Sequence, residues 1–164
     1  MQLVNYLAQA ETWWVWAAEY LIFVLVLAPV VGFVITRKRR WWQSWIQAGT
    51  SYVLASLIKH WLDIPRPYLA PGQSSLLSHP PVSGSFPSGH ATVAFALAFG
   101  LVRQDPVRRW WYLVIAATVA VARVMVNVHR WQDIIAGALL GWIVSWLMLK
   151  LSQHWKFYAR LIDN

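Results

Sequence analysis

The chain predicts an all-α integral membrane protein, a bundle of about five transmembrane helices plus an N-terminal interfacial helix. Of its 164 residues 59% are hydrophobic and 12% charged, against about 45–50% apolar and about 25% charged in soluble domains. Thirteen Trp and six Tyr suit a protein with two head-group layers to anchor, because amphipathic rings prefer that depth. The formal charge of +8 would suggest nucleic acid in a soluble protein. Here the basic residues border apolar runs, which is the positive-inside bias, and no nucleic-acid partner is expected. The absence of cysteine excludes disulfides, a thiolate nucleophile and cysteine-based metal sites.

Residues 2–10 space Leu3, Tyr6, Leu7 and Ala10 at i, i+3, i+4 and i+7, as in a short amphipathic helix lying on a membrane surface. The first span is expected over 17–36, entered through Trp13, Trp14 and Trp16 and closed by Arg37, Lys38, Arg39 and Arg40. No cleavable leader is expected: the first residues lack a basic region, and this apolar run is long enough to stay in the bilayer. Glu19 reads as an interfacial or helix-start carboxylate.

The second span, 42–61, delivers Lys59 and His60 near its exit, where Pro65 and Pro67 forbid further helix. Residues 63–87 are the longest polar stretch, and a loop of that length is usually functional; Leu76 and Leu77 are expected to dip into the bilayer beside it. The third span, 89–102, is short: roughly 21 Å at about 1.5 Å per residue against a hydrocarbon core of about 30 Å. Its outer end should therefore be recessed. The fourth and fifth spans are expected over 110–126 and 133–151. On this topology ten of the fourteen basic residues lie inside and Lys59, Arg66, Arg123 and Arg130 outside. That places the N-terminus outside and the C-terminus in the cytoplasm. No internal repeat or second domain is visible, so 1–164 reads as a single membrane-embedded domain.

The chemistry gathers at the outer ends of the spans. Phe86-Pro87-Ser88-Gly89-His90 opens an apolar run, so a hydroxyl, a glycine backbone and an imidazole share a helix start, where free N–H groups favour an anion. The same residues would serve as a plain cap and an interfacial histidine. The same side of the membrane receives Lys59, Arg66, Arg123, His129 and Asp133, and ionisable groups at bilayer depth are functional by default. His129 and Asp133 are four apart and would be neighbours on a helix starting near Val128; a carboxylate there fixes the imidazole tautomer. Arg123 lies about 240° around an unbroken helix from His129, so a turn around Asn127 is needed to aim both inward. Lys59, Arg66 and Arg123 could hold the phosphate oxygens while His90 protonates the leaving oxygen and His129 attacks phosphorus.

The pattern Lys59, six residues, Arg66-Pro67; then Pro87-Ser88-Gly89-His90; then Arg123, five residues, His129, three residues, Asp133 resembles the three-part signature of the type-2 phosphatidic acid phosphatase superfamily. The resemblance spans Lys59 to Asp133. It implies a helical bundle and metal-independent, cofactor-free hydrolysis of a phosphoester or diphosphate through a phosphohistidine. It also implies His129 as nucleophile, Asp133 as its orienting partner, His90 as general acid, and Lys59, Arg66, Ser88, Gly89 and Arg123 as phosphate-binding residues. Two departures stand out: Ala122 replaces the family's usual Ser before the third-motif Arg, and many membrane members have six spans.

By that resemblance the leading function is a lipid phosphatase of the cell membrane, acting on an extracytoplasmic head group. The expected substrate is undecaprenyl diphosphate, a reaction of cell wall biogenesis, with phosphatidylglycerol phosphate or phosphatidic acid as alternatives. A permease or carrier that binds lipid phosphate without cleaving it needs the cations but no oriented nucleophile. A haloperoxidase, whose related site holds vanadate, fits poorly with five spans.

Overall fold

The structure, a computed structural model, describes residues 2–162, without the side chains of 2–10, 39 and 154–162. The described residues contain helices and no strand: α1 (Gln2–Glu19), α2 (Ile22–Thr36), α3 (Trp42–Leu62), α4 (Gly89–Gln104), α5 (Arg109–Met125) and α6 (Trp131–Ile162). Single 3-10 turns occur at Arg39–Trp41 and Pro67–Leu69.

The bundle is organised around α4, which packs against α2, α3, α5 and α6. Its buried positions are mostly small, with Ala91, Ala94, Ala96, Ala98 and Gly100 among them. Small side chains let neighbouring backbones approach closely, the packing mode of helices in lipid. The approach is tightest against α6: a Cβ at Gly137 would lie 2.7 Å from the Ser88 carbonyl oxygen, and one at Gly141 2.5 Å from that of Thr92. A larger core of Leu25, Trp41, Leu97, Leu101 and Val119 fills the α2–α5 side.

The second, fourth and fifth helices expected from hydropathy match α3, α5 and α6 closely, although α6 continues well past 151. The first span does not form one rod. α1 runs unbroken from Gln2 to Glu19, and α2 begins only at Ile22 after a bend of 42°. No Pro or Gly lies at this break; instead Nη1 of Arg123 donates to the Ala18 carbonyl at 3.1 Å. A side chain that takes a carbonyl from the i→i−4 ladder is a recognised cause of bending. The expected surface helix at 2–10 is simply the first half of α1, and its amphipathic side chains, like those of Lys156 and Arg160, lie outside the described residues.

Among the described residues α6 alone has the length and hydropathy to cross a bilayer unaided, over Trp131–Gln153 with a mean hydropathy of 1.9. The bent pair Glu11–Glu19 and Ile22–Thr36 has them together. With 16 and 17 residues, α4 and α5 fall short of the usual span of about 20. α3 is long enough, but Ser44, Gln47, Ser51, Lys59 and His60 lower its hydropathy. Leu77, expected to enter the bilayer, is instead buried against Ala122, Val126 and Val128, and the Leu76 N–H donates to the Val126 carbonyl.

Candidate active site

α5 ends at Met125, and Asn127 adopts a left-handed backbone with φ of 60°. Asn tolerates that region better than most residues, and its Nδ2 donates to Gln73 Oε1 and the Ser74 carbonyl. The backbone then doubles back so that the N–H groups of Val128 and His129 both donate to the Arg123 carbonyl. This is the turn needed to aim Arg123 and His129 at one place. Because α6 starts at Trp131, His129 precedes the helix rather than sharing its face with Asp133. The two meet because His129 folds over the first turn, with Nδ1 3.3 Å from Asp133 Oδ2.

Asp133 has a second task. Its Oδ2 accepts the Arg130 backbone N–H at 2.8 Å, the reach-back of an N3 acid that closes a helix start. The same oxygen accepts the hydroxyl of Ser85. Ser85 Oγ also lies 3.3 Å from His129 Nδ1.

Arg66 is 3% exposed and heavily braced. Its Nε donates to the Ser83 carbonyl, Nη2 to that of Gly84 and Nη1 to that of Val128. The other Nη1 hydrogen reaches His129 Nε2 at 3.2 Å. Arg123 is 2% exposed; its Nη1 is anchored on Ala18, and its buried Nε has no hydrogen-bond partner. A buried donor left unpaired costs about 1–3 kcal/mol.

Lys59, Arg66, Gly89, His90, Arg123 and His129 line one cavity of about 310 Å³, with Ile22, Tyr52 and Val93 on its apolar side. Ser88 and Asp133 are buried and do not reach its wall: Ser88 Oγ accepts the Ala91 N–H and caps α4, and the Ser88 N–H donates to the Asp133 carbonyl. Ala122 is fully buried in the cluster with Ala17 and Ala18 and likewise does not line the cavity. A neighbouring cavity of about 350 Å³ shares Tyr52, Lys59, Ser83 and Gly89 and adds His60 and Asp63; exposed His79 lines neither.

Burial pushes the His129 imidazole down to about 4; the Arg66, Arg123 and Lys59 cations push the same way, and the bond to Asp133 opposes them. The ring is therefore neutral at pH 7. An uncharged imidazole with one nitrogen facing a cationic cavity and the other on a carboxylate can attack an electrophilic phosphorus.

Sequence reasoning missed Ser85, the Ser83 and Gly84 carbonyls that brace Arg66, and the role of α1. Ser85 lies three residues before Ser88, but nothing in the local pattern pairs its hydroxyl with a carboxylate 48 residues away.

This all-helical bundle with a basic, histidine-bearing cavity places the chain in a known class. Residues 20–157 match the PAP2 superfamily, and the chain belongs to it. It is 31% identical over 144 residues to the bacitracin transport permease protein BcrC of Bacillus licheniformis, covering 82% of this chain and 70% of that one. It is 31% identical over 152 residues to phosphatidylglycerophosphatase B of Bacillus subtilis, covering 84% and 72%. An undecaprenyl-diphosphatase of Sulfolobus acidocaldarius is 32% identical over 140 residues, covering 82% and 65%. Among solved structures, Aquifex aeolicus LpxE superposes with a TM-score of 0.68 at 26% identity over 88% of this chain and 86% of that one. A transmembrane PAP2-type phosphatidylglycerolphosphate phosphatase from Bacillus subtilis gives 0.66 at 25% identity over 91% and 78%.

Proposed function

We propose that the protein is a membrane lipid phosphatase that hydrolyses undecaprenyl diphosphate to undecaprenyl phosphate and inorganic phosphate through a phosphohistidine, without metal. The observation that carries this reading is the orientation of His129. Its Nε2 accepts from Arg66 beside the cavity that Lys59, His90 and Arg123 line, while Nδ1 faces Asp133. Nε2 forms a bond to the terminal phosphorus as the bond to the bridging oxygen breaks. The electron pair goes to that oxygen, which takes a proton from His90. Lys59, Arg66, Arg123 and the Gly89 backbone hold the non-bridging oxygens, and Ser88 supports that backbone as the α4 cap. The phosphorylated imidazole keeps its Nδ1 proton and is balanced by Asp133. Water then attacks phosphorus, gives a proton to the now neutral His90, and the N–P bond returns its pair to Nε2.

The α1–α2 pair and α3 to α6 form five crossings in this reading, with the site extracytoplasmic and the C-terminus in the cytoplasm. The distribution of basic residues supports that orientation. The names of the relatives support undecaprenyl diphosphate and also favour phosphatidylglycerol phosphate as a second substrate. One relative is named a permease, but a carrier has no use for a histidine oriented by a carboxylate.

The test is phosphate release by detergent-purified protein in EDTA, comparing wild type with His129→Asn. Release from undecaprenyl diphosphate by wild type alone supports the whole reading. Release only from phosphatidylglycerol phosphate moves the substrate and keeps the mechanism. Release by His129→Asn, or by neither protein from any lipid phosphate, overturns it.

A further inference from the structure

Ser85 is fully buried and belongs to a short loop tied down on several sides. Its N–H donates to the Ile64 carbonyl at 2.7 Å, and three residues on, the Ser88 N–H donates to the Asp133 carbonyl at 3.0 Å. Just before it, Ser83 and Gly84 give their carbonyls to Arg66. The hydroxyl is thus held from both ends. Its proton goes to Asp133 Oδ2, because an ionised carboxylate only accepts. That leaves the oxygen lone pairs facing His129 Nδ1 at 3.3 Å, the same distance that separates Nδ1 from Oδ2.

We infer that Ser85 is a positioning residue for the nucleophile: it locks the Asp133 carboxylate with one hydrogen bond and offers a second acceptor to the Nδ1 proton of His129. The inference rests on the hydrolytic reading above. Neither contact to Nδ1 is short, so a single acceptor would leave the imidazole loosely aimed. Two acceptors on adjacent sides confine it to the plane in which Nε2 faces the cavity. Displacing a reacting group by about 1 Å can cost about 100-fold in rate, and this is the kind of loss that removal of Ser85 should produce. Ser85 does not line the phosphate cavity, so ground-state binding of the anion should be spared.

The experiment is a cycle of Ser85→Ala, Asp133→Ala and the double variant, measured on the lipid that wild type turns over. The expected result for Ser85→Ala is a 10- to 100-fold lower kcat, with KM and the affinity for inorganic phosphate within threefold of wild type. In the Asp133→Ala background the same change should cost clearly less than it does in wild type, because the hold on the carboxylate is gone and only the contact with Nδ1 remains. Retained phosphate affinity shows that each variant is folded. Three results would overturn the inference: an unchanged kcat, equal losses in kcat and phosphate affinity, or a full further loss in the Asp133→Ala background. The underlying reading fails separately, if His129→Asn still turns over.

Discussion

Nη1 of Arg66 lies 3.2 Å from Nε2 of His129, and a guanidinium can only donate. Nε2 therefore carries the lone pair and Nδ1 the proton, which is the tautomer that a nucleophile directed at the cavity requires. In the proposed reaction Arg66 would hold Nε2 until an arriving phosphate offered the guanidinium a better acceptor and freed Nε2. Three other Arg66 donors are spent on backbone carbonyls, which hold the guanidinium in place beside the cavity.

The pH dependence of turnover follows from this pair. With His129 lowered to about 4 by burial together with Arg66 and the other cations, protonation would silence the proposed nucleophile only in strong acid. The acid limb of kcat/KM is expected near pH 4, and at higher pH the rate should fall again as His90 loses the proton it must donate. Arg66→Met removes a cation that favours the neutral ring, so the His129 value rises and the acid limb moves to higher pH. Overall activity falls as well, but the shape of the profile is the readout. An acid limb that stays fixed, or moves lower, would contradict the assignment.

Arg123 is expected to report the bound anion. It lines the cavity with Nη1 anchored on Ala18, so an anion held there should stabilise the fold by mass action, about 2.7 kcal/mol at 100 times Kd. Inorganic phosphate or vanadate should raise the Tm of wild type in detergent. Arg123→Lys keeps the charge but loses the planar fork, and the stabilisation should shrink at least severalfold. An equal Tm rise in both proteins would mean that the anion binds elsewhere.

Much of the site was legible because its chemistry lies in spacing. Lys59, Arg66, His90, Arg123 and His129 converge on one cavity, and the need for a turn at Asn127 followed from helix geometry alone. What sequence could not show are features made by distant partners. The break between Glu19 and Ile22 is marked by no Pro or Gly, and an arginine 105 residues away takes the Ala18 carbonyl beside it. Hydropathy likewise assigned Leu77 to lipid, although the turn after α5 supplies a protein pocket for it.

The turn at Asn127 should tolerate glycine and reject a branched residue. A left-handed φ of 60° costs a β-branched side chain about 1–3 kcal/mol, whereas glycine adopts it freely. Asn127→Val should therefore lower Tm and kcat together, because the same turn aims Arg123 and His129. Asn127→Gly should remain near wild type in both. Equal Tm losses for the two variants would indicate that the Nδ2 bonds to Gln73 and Ser74 matter more than the backbone.

Gly137 and Gly141 lie one turn apart on α6 and both face the α4 backbone, yet they should fail differently. A methyl at Gly141 meets the Thr92 carbonyl and the Ala96 N–H mid-helix, so the helices must separate. Overpacking of this kind costs about 1–3 kcal/mol. A methyl at Gly137 meets the Ser88 carbonyl and Thr92 Oγ1 at the start of α4, where Gly89 and His90 enter the cavity. Gly141→Ala should lower Tm while leaving kcat within about threefold. Gly137→Ala should lower kcat by about 10-fold or more, because moving His90 by a fraction of an ångström disrupts proton transfer to the leaving oxygen. The check is kcat and Tm for both variants at a temperature well below the lower Tm. A kcat loss that simply tracks Tm in both would mean that the α4–α6 crossing stabilises the bundle without setting the geometry of the site.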